Sequence, residues 1–125
     1  MNNTYFFTDE EIATITTALN NYIDLCTSVR KKPVYKYNKQ ISDNISLAKE
    51  TIEVFASYSD IVHIKHLKIT ACSLSALKQS INELLKANDL DNSTVTENKN
   101  LRSKINQAVK KLKSLFEEYG EDFDY

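Results

Sequence analysis

Residues 8–33 read TDEEIATITTALNNYIDLCTSVRKKP, and this stretch decides the fold. Thr8 followed three positions later by Glu11 is a capping box: the hydroxyl accepts from the third helical amide while the carboxylate reaches back to the cap amide. Phe7 stands just before the cap, where it can staple onto the first turn. Ile12, Ile15, Leu19, Tyr22, Cys26 and Val29 then recur at alternating steps of three and four, the seam of a bundle helix. Pro33 closes the stretch, because it disfavours helix at Lys32 and has no amide to donate. The reading is a helix over about residues 9–30.

The same logic extends downstream. Ile41, Ile45, Ala48, Ile52 and Phe55 predict a second helix over about 38–57. Ser57-Tyr58-Ser59-Asp60 offers capping side chains for a turn, but no glycine or proline enforces it, so a partial merger with the next helix stays open. Ile64, Leu67, Ala71, Leu74, Leu77, Ile81 and Leu84 predict a third helix over about 60–87. Asn88 to Ser93 reads as a polar linker. Thr94-Val95-Thr96-Glu97 is a second capping box, opening a helix over about 95–119 with Leu101, Ile105, Ala108, Leu112, Leu115 and Tyr119 as its seam. Gly120 stands where a left-handed terminating residue belongs. The one proline and the one glycine of the 125-residue chain thus fall at element ends, as long helices require. The expected architecture is all-α, an antiparallel four-helix bundle forming one domain over residues 1–120, with a short acidic-aromatic tail at 121–125.

Composition narrows the function classes. A net charge of −1 gives no global attraction to nucleic acid or anionic lipid. No apolar run is long enough to span a bilayer, and the start, Met1 to Phe7, lacks the basic-then-apolar order of a signal peptide. With two cysteines only, a reducing, cytoplasmic setting is expected. Cys26 on the seam reads as a small buried hydrophobe, with Cys72 set apart from it. Abundant Lys, Asn and Ile point to an AT-rich genome, such as a bacterium or its mobile elements. His63 and His66, the only histidines, lie three apart near Asp60 and read as an exposed pair, too few to hold a metal. One glycine cannot build a phosphate loop, and HExxH and CxxC are lacking. No enzyme activity, metal or cofactor is expected.

Three surfaces remain as candidates. Helices two and three carry a second apolar stripe, Leu47, Val54 and Tyr58 on one and Val62, Ile69, Cys72 and Ala76 on the other. These are either scattered surface residues or an oligomer interface, a homodimer being the simplest. Arg30, Lys31, Lys32, Lys36 and Lys39 put five cations in ten residues, with Tyr35 and Tyr37 between them. Rings interleaved with cations suit single-stranded nucleic acid, although cations at a helix C-terminus also complement its dipole. Helix four adds Lys99, Arg102, Lys104, Lys110, Lys111 and Lys113, with no acid from Asn98 to Phe116. The last nine residues crowd Glu117, Glu118, Glu121, Asp122 and Asp124 around Tyr119, Phe123 and Tyr125. Acids at a helix C-terminus have the wrong sign for the dipole, so this strip reads either as a frayed solubilising end or as a surface for a basic groove on another protein.

The reading that joins these features is a non-enzymatic protein-binding factor, a small regulator, inhibitor or immunity-type protein acting by covering a partner's surface through the C-terminal strip. The alternatives are a nucleic-acid-associated subunit using Arg30 to Lys39 with the helix-four lysines, and a structural oligomeric scaffold.

Overall fold

The computed structural model of the chain describes residues 7–36, 38–57, 62–87 and 89–125, with only the backbone described at Tyr35. Four helices pack against one another: α1 (Asp9–Arg30), α2 (Lys39–Ala56), α3 (Ile64–Leu85) and α4 (Asn92–Glu118). A short 3-10 turn, Pro33–Tyr35, joins the first two, and no strand occurs among the described residues.

The capping box of α1 is present in both arms. The Glu11 amide donates to Thr8 Oγ1 at 3.1 Å and the Thr8 amide to Glu11 Oε1 at 2.8 Å. Asp9, Glu10 and Glu11 in the first turn and Arg30 in the last complement the dipole. Lys32 is extended and Pro33 opens the 3-10 turn. Asn38 caps α2 by accepting from the Ile41 amide at 3.0 Å.

Two helix starts differ from the sequence expectation. α3 begins at Ile64, four residues later than the expected 60, with extended His63 as its cap. Ser57 instead ends α2: its amide donates to Glu53 O at 3.0 Å and its hydroxyl to Val54 O at 3.1 Å. α2 and α3 are therefore separate helices, and the expected turn residues Tyr58, Ser59 and Asp60 lie outside the described residues. α4 begins at Asn92, three residues before the expected 95. Asp91, not Thr94, is the cap, and its Oδ1 accepts from the Thr94 amide at 2.7 Å. A carboxylate is the stronger acceptor at the positive end of a helix, so it wins over the hydroxyl further on.

The C-terminus of α4 closes as a Schellman motif. Gly120 has φ +69°, its amide donates to Glu117 O at 3.0 Å, and the Glu121 amide donates to Phe116 O at 2.9 Å.

Contacts between element ends give the topology. Phe7, just before α1, meets Phe55 at the end of α2, ring centroids 5.7 Å apart. His66 early in α3 bonds Glu50 late in α2. Glu11 at the start of α1 reaches Lys111 late in α4. The helices alternate up and down. α1 and α3 each touch all three other helices, whereas α2 and α4 scarcely meet. The cross-section is therefore a rhombus with α1 and α3 on its short diagonal. A helix with three neighbours must be apolar over a wide arc, and α3 is: Leu67, Ile69, Ala71, Leu74, Leu77 and Ile81 are all buried. Buried Thr51, Thr70 and Ser73 satisfy their hydroxyls on their own helices, each donating 2.7 Å to the carbonyl four residues back.

Candidate functional site

The rhombus accounts for half of the second apolar stripe. Val62 and Ile69 are buried in the chain's own core, and Leu47 and Val54 pack half-buried against it. Cys72 and Ala76 are half-exposed, and Tyr58 lies outside the described residues. The placing of Val62 and Ile69 on an oligomer interface is thus corrected, because α3 has a helix on each flank.

Two further readings are corrected. Cys26 is half-exposed, not buried, since the seam of α1 loosens beyond Leu19. His66 is not an exposed partner of His63 but only 4% exposed. Its Nδ1 accepts from the His63 amide at 3.3 Å, so Nε2 carries the proton and donates to Glu50 at 2.8 Å. That bond, with Lys65 at 3.4 Å, holds the Glu50 carboxyl below the ordinary carboxylate range. Among the described residues, no cluster of His, Cys, Asp or Glu could hold a metal ion.

The Cys72 thiol is chemically quiet. Burial pushes the Tyr22 phenol up to about 12, with the nearby Cys26 and Cys72 thiols adding to the effect, so the two cysteines lie near one phenol and are not far apart. Asn44 donates to the Tyr22 hydroxyl at 3.3 Å. Burial also raises the Cys72 thiol, and a thiol held protonated is a poor nucleophile.

The C-terminal strip is not frayed. The Schellman turn reverses the chain and lays residues 121–125 back along α3 and α4. Phe123 meets Phe116 edge-on with centroids 5.0 Å apart, Tyr125 meets Phe116 at 5.9 Å, and Phe123 meets Tyr125 at 5.4 Å. Such edge-to-face pairs are worth about 0.5–1.5 kcal/mol each beyond area burial. Lys113 Nζ lies 5.5 Å from the Phe123 ring centre, and Glu121 pairs with Lys68 at 3.4 Å. The Tyr119 hydroxyl donates to the Val62 carbonyl, tying the end of α4 to the entry of α3. Tyr119 and Tyr125 are nevertheless 38% and 43% exposed. Glu117, Glu118, Asp122 and Asp124 are exposed, and none of them is ion-paired among the described residues. Beside Tyr119, an open hollow of about 450 Å³ is lined by His63, Ile64 and Lys65.

At the α1–α2 corner, Arg30, Lys31 and Lys36 are brought round one hollow with Thr27 and Pro33. Lys32 and Lys39 are exposed nearby in sequence. Tyr37 and the Tyr35 side chain lie outside the described residues. The α4 lysines are divided: Lys104 pairs with Glu10 at 3.3 Å and Lys111 with Glu11 at 2.6 Å, so those two serve the bundle. No described helix is long and apolar enough to cross a membrane.

No protein-family model matches the chain, and no curated protein or solved structure matches it. Its side chains alone carry the functional reading.

Sequence reasoning missed Phe116, the residue on which the tail is seated. It lies one position off the α4 seam, and its signal was the aromatic spacing Phe116, Phe123, Tyr125 across a glycine.

Proposed function

We propose that the chain is a non-enzymatic protein-binding factor, a small regulator, inhibitor or immunity-type protein, whose C-terminal strip covers a basic groove on a partner. The observation that carries this reading is the pinned yet unneutralised state of the strip. Two partly exposed tyrosines, and four carboxylates with no ion pair among the described residues, sit on a segment already fixed by a Schellman turn, a ring cluster and an ion pair. A segment ordered beforehand loses little entropy on binding. Tyrosines are enriched among interface hot spots, and rim carboxylates supply steering toward a basic surface.

The test keeps the fold and inverts the charge. Intact protein and a Glu117→Lys, Glu118→Lys, Asp122→Lys, Asp124→Lys variant are immobilised and exposed to bacterial lysate, with and without nuclease. Because all four side chains are exposed, the variant should keep its far-UV circular dichroism. The expected result is one protein retained near stoichiometrically by the intact chain in both arms, and at least about tenfold less by the variant, the loss of roughly one 1.4 kcal/mol step. Equal retention by the variant contradicts the role of the strip. Removing residues after Gly120 is a poorer test, since it also uncovers Phe116.

A further inference from the structure

The α1–α2 corner concentrates positive charge. From Leu25 to Ser42 the chain has no acidic residue. A helix C-terminus accounts for a cation in its last turn, and Arg30 is that cation in α1. It does not account for Lys36, which the Pro33 turn carries back so that it shares a hollow of about 540 Å³ with Arg30 and Lys31. Lys65, Lys68, Lys104 and Lys111 each have a carboxylate within 3.4 Å. Arg30 and Lys31 have none among the described residues.

We propose that this corner is a phosphate-binding site that takes single-stranded nucleic acid, separate from the C-terminal strip and independent of its reading. The charged groups at the hollow are all N–H donors, and the Thr27 hydroxyl is occupied on Ile23 O at 2.7 Å, which selects an acceptor-only anion. A guanidinium beside ammoniums matches phosphate oxygens through paired donors. Lys32 and Lys39, exposed and close by in sequence, add more positive charge than a single phosphate needs. Tyr35 and Tyr37 alternate with those cations in sequence, the arrangement of a stacking track. Among the described residues, no helix projects from the corner to enter a duplex groove. The acidic strip starts at Glu117 and Glu118, at the end of the bundle opposite the α1 C-terminus, about 30 Å along α1 and well beyond the roughly 8–10 Å over which charges act at physiological salt. The net charge of −1 therefore hides two local poles.

Fluorescence anisotropy of the full chain with a labelled oligothymidylate of about 12 nucleotides tests the site. Competing arms use duplex of the same length, inorganic tripolyphosphate, and vesicles containing phosphatidylserine. Binding should weaken with salt. An Arg30→Gln, Lys31→Gln, Lys36→Gln variant should bind at least about tenfold more weakly, with the log–log salt slope reduced by about 2 for three lost phosphate contacts. A Lys49→Gln control, changing an exposed cation on α2, should bind like the native chain. Equal binding by the corner variant, or no binding at low salt, overturns the site. Preference for vesicles, duplex or tripolyphosphate over the oligonucleotide overturns the ligand assigned to it.

Discussion

Replacing Phe116 with alanine is expected to cost about 3–5 kcal/mol of folding free energy. The ring is fully buried, one residue from Leu115 on the face of α4 that meets the core, and its carbonyl accepts the closing bond of the Schellman turn. Truncation leaves a cavity between rigid helices that cannot collapse to fill it. It also removes the ring on which Phe123 and Tyr125 are seated, so the tail should loosen with the core. Against a typical domain stability of about 5–15 kcal/mol, this is a large share. Urea denaturation followed by circular dichroism reads it directly. Val34→Ala, at a position 86% exposed, should change stability by no more than about 0.5 kcal/mol. A Phe116→Ala loss below about 1 kcal/mol would mean that the ring is not part of the core.

The second large effect lies at the same end of the bundle, where the start of α1 meets the end of α4. Glu11 is only 8% exposed, yet it accepts from the Thr8 amide and from Lys111 at 2.6 Å. Burial works to raise its pKa, but Lys111 and Thr8 together outweigh burial and hold the carboxyl below its ordinary value of 4.5. Glu11→Ala removes one arm of the capping box and the carboxylate facing Lys111, at an expected cost of about 2 kcal/mol. The pH sign follows from the lowered pKa: the contribution is fully present above about pH 4.5 and is lost as pH falls through the folded-state value. Native protein and Glu11→Gln should therefore differ in urea midpoint at neutral pH and converge as pH drops below about 4.5. A difference that stays constant with pH would show that the carboxylate charge contributes nothing.

How far the sequence was legible depends on how local each signal is. The capping box at Thr8 and Glu11, the Pro33 stop, the Asn38 region and the Gly120 terminator are decided within a few residues, and all appear as read. The start of α4 is also local, but Asp91 lay inside a run of polar residues that reads equally well as linker. The double stripe of α3 could not be assigned, because a partner helix in the same chain and a partner chain leave the same pattern; only the rhombic arrangement separates them. His66 is a tertiary case, since its burial depends on Glu50 arriving from α2. The C-terminal strip was recognised by its charge, but its attachment was not. Tyr119 reaches Val62 across 57 residues of chain, a contact that no periodicity encodes.

The two charged ends place the proposed partners apart: a basic protein groove at the strip, and a phosphate backbone at the corner. The proposed role rests on the strip being held in place before any partner arrives. The most direct measurement is nuclear magnetic resonance on the free, isotope-labelled protein, reading contacts among the rings of Phe116, Phe123 and Tyr125 together with backbone order at residues 119–125. The expected result is cross-peaks among all three rings, slow exchange of the Glu121 amide, and order parameters near the rigid value of about 0.85. Random-coil shifts with no ring contacts and order parameters below about 0.6 would contradict it and return the segment to an ordinary frayed end.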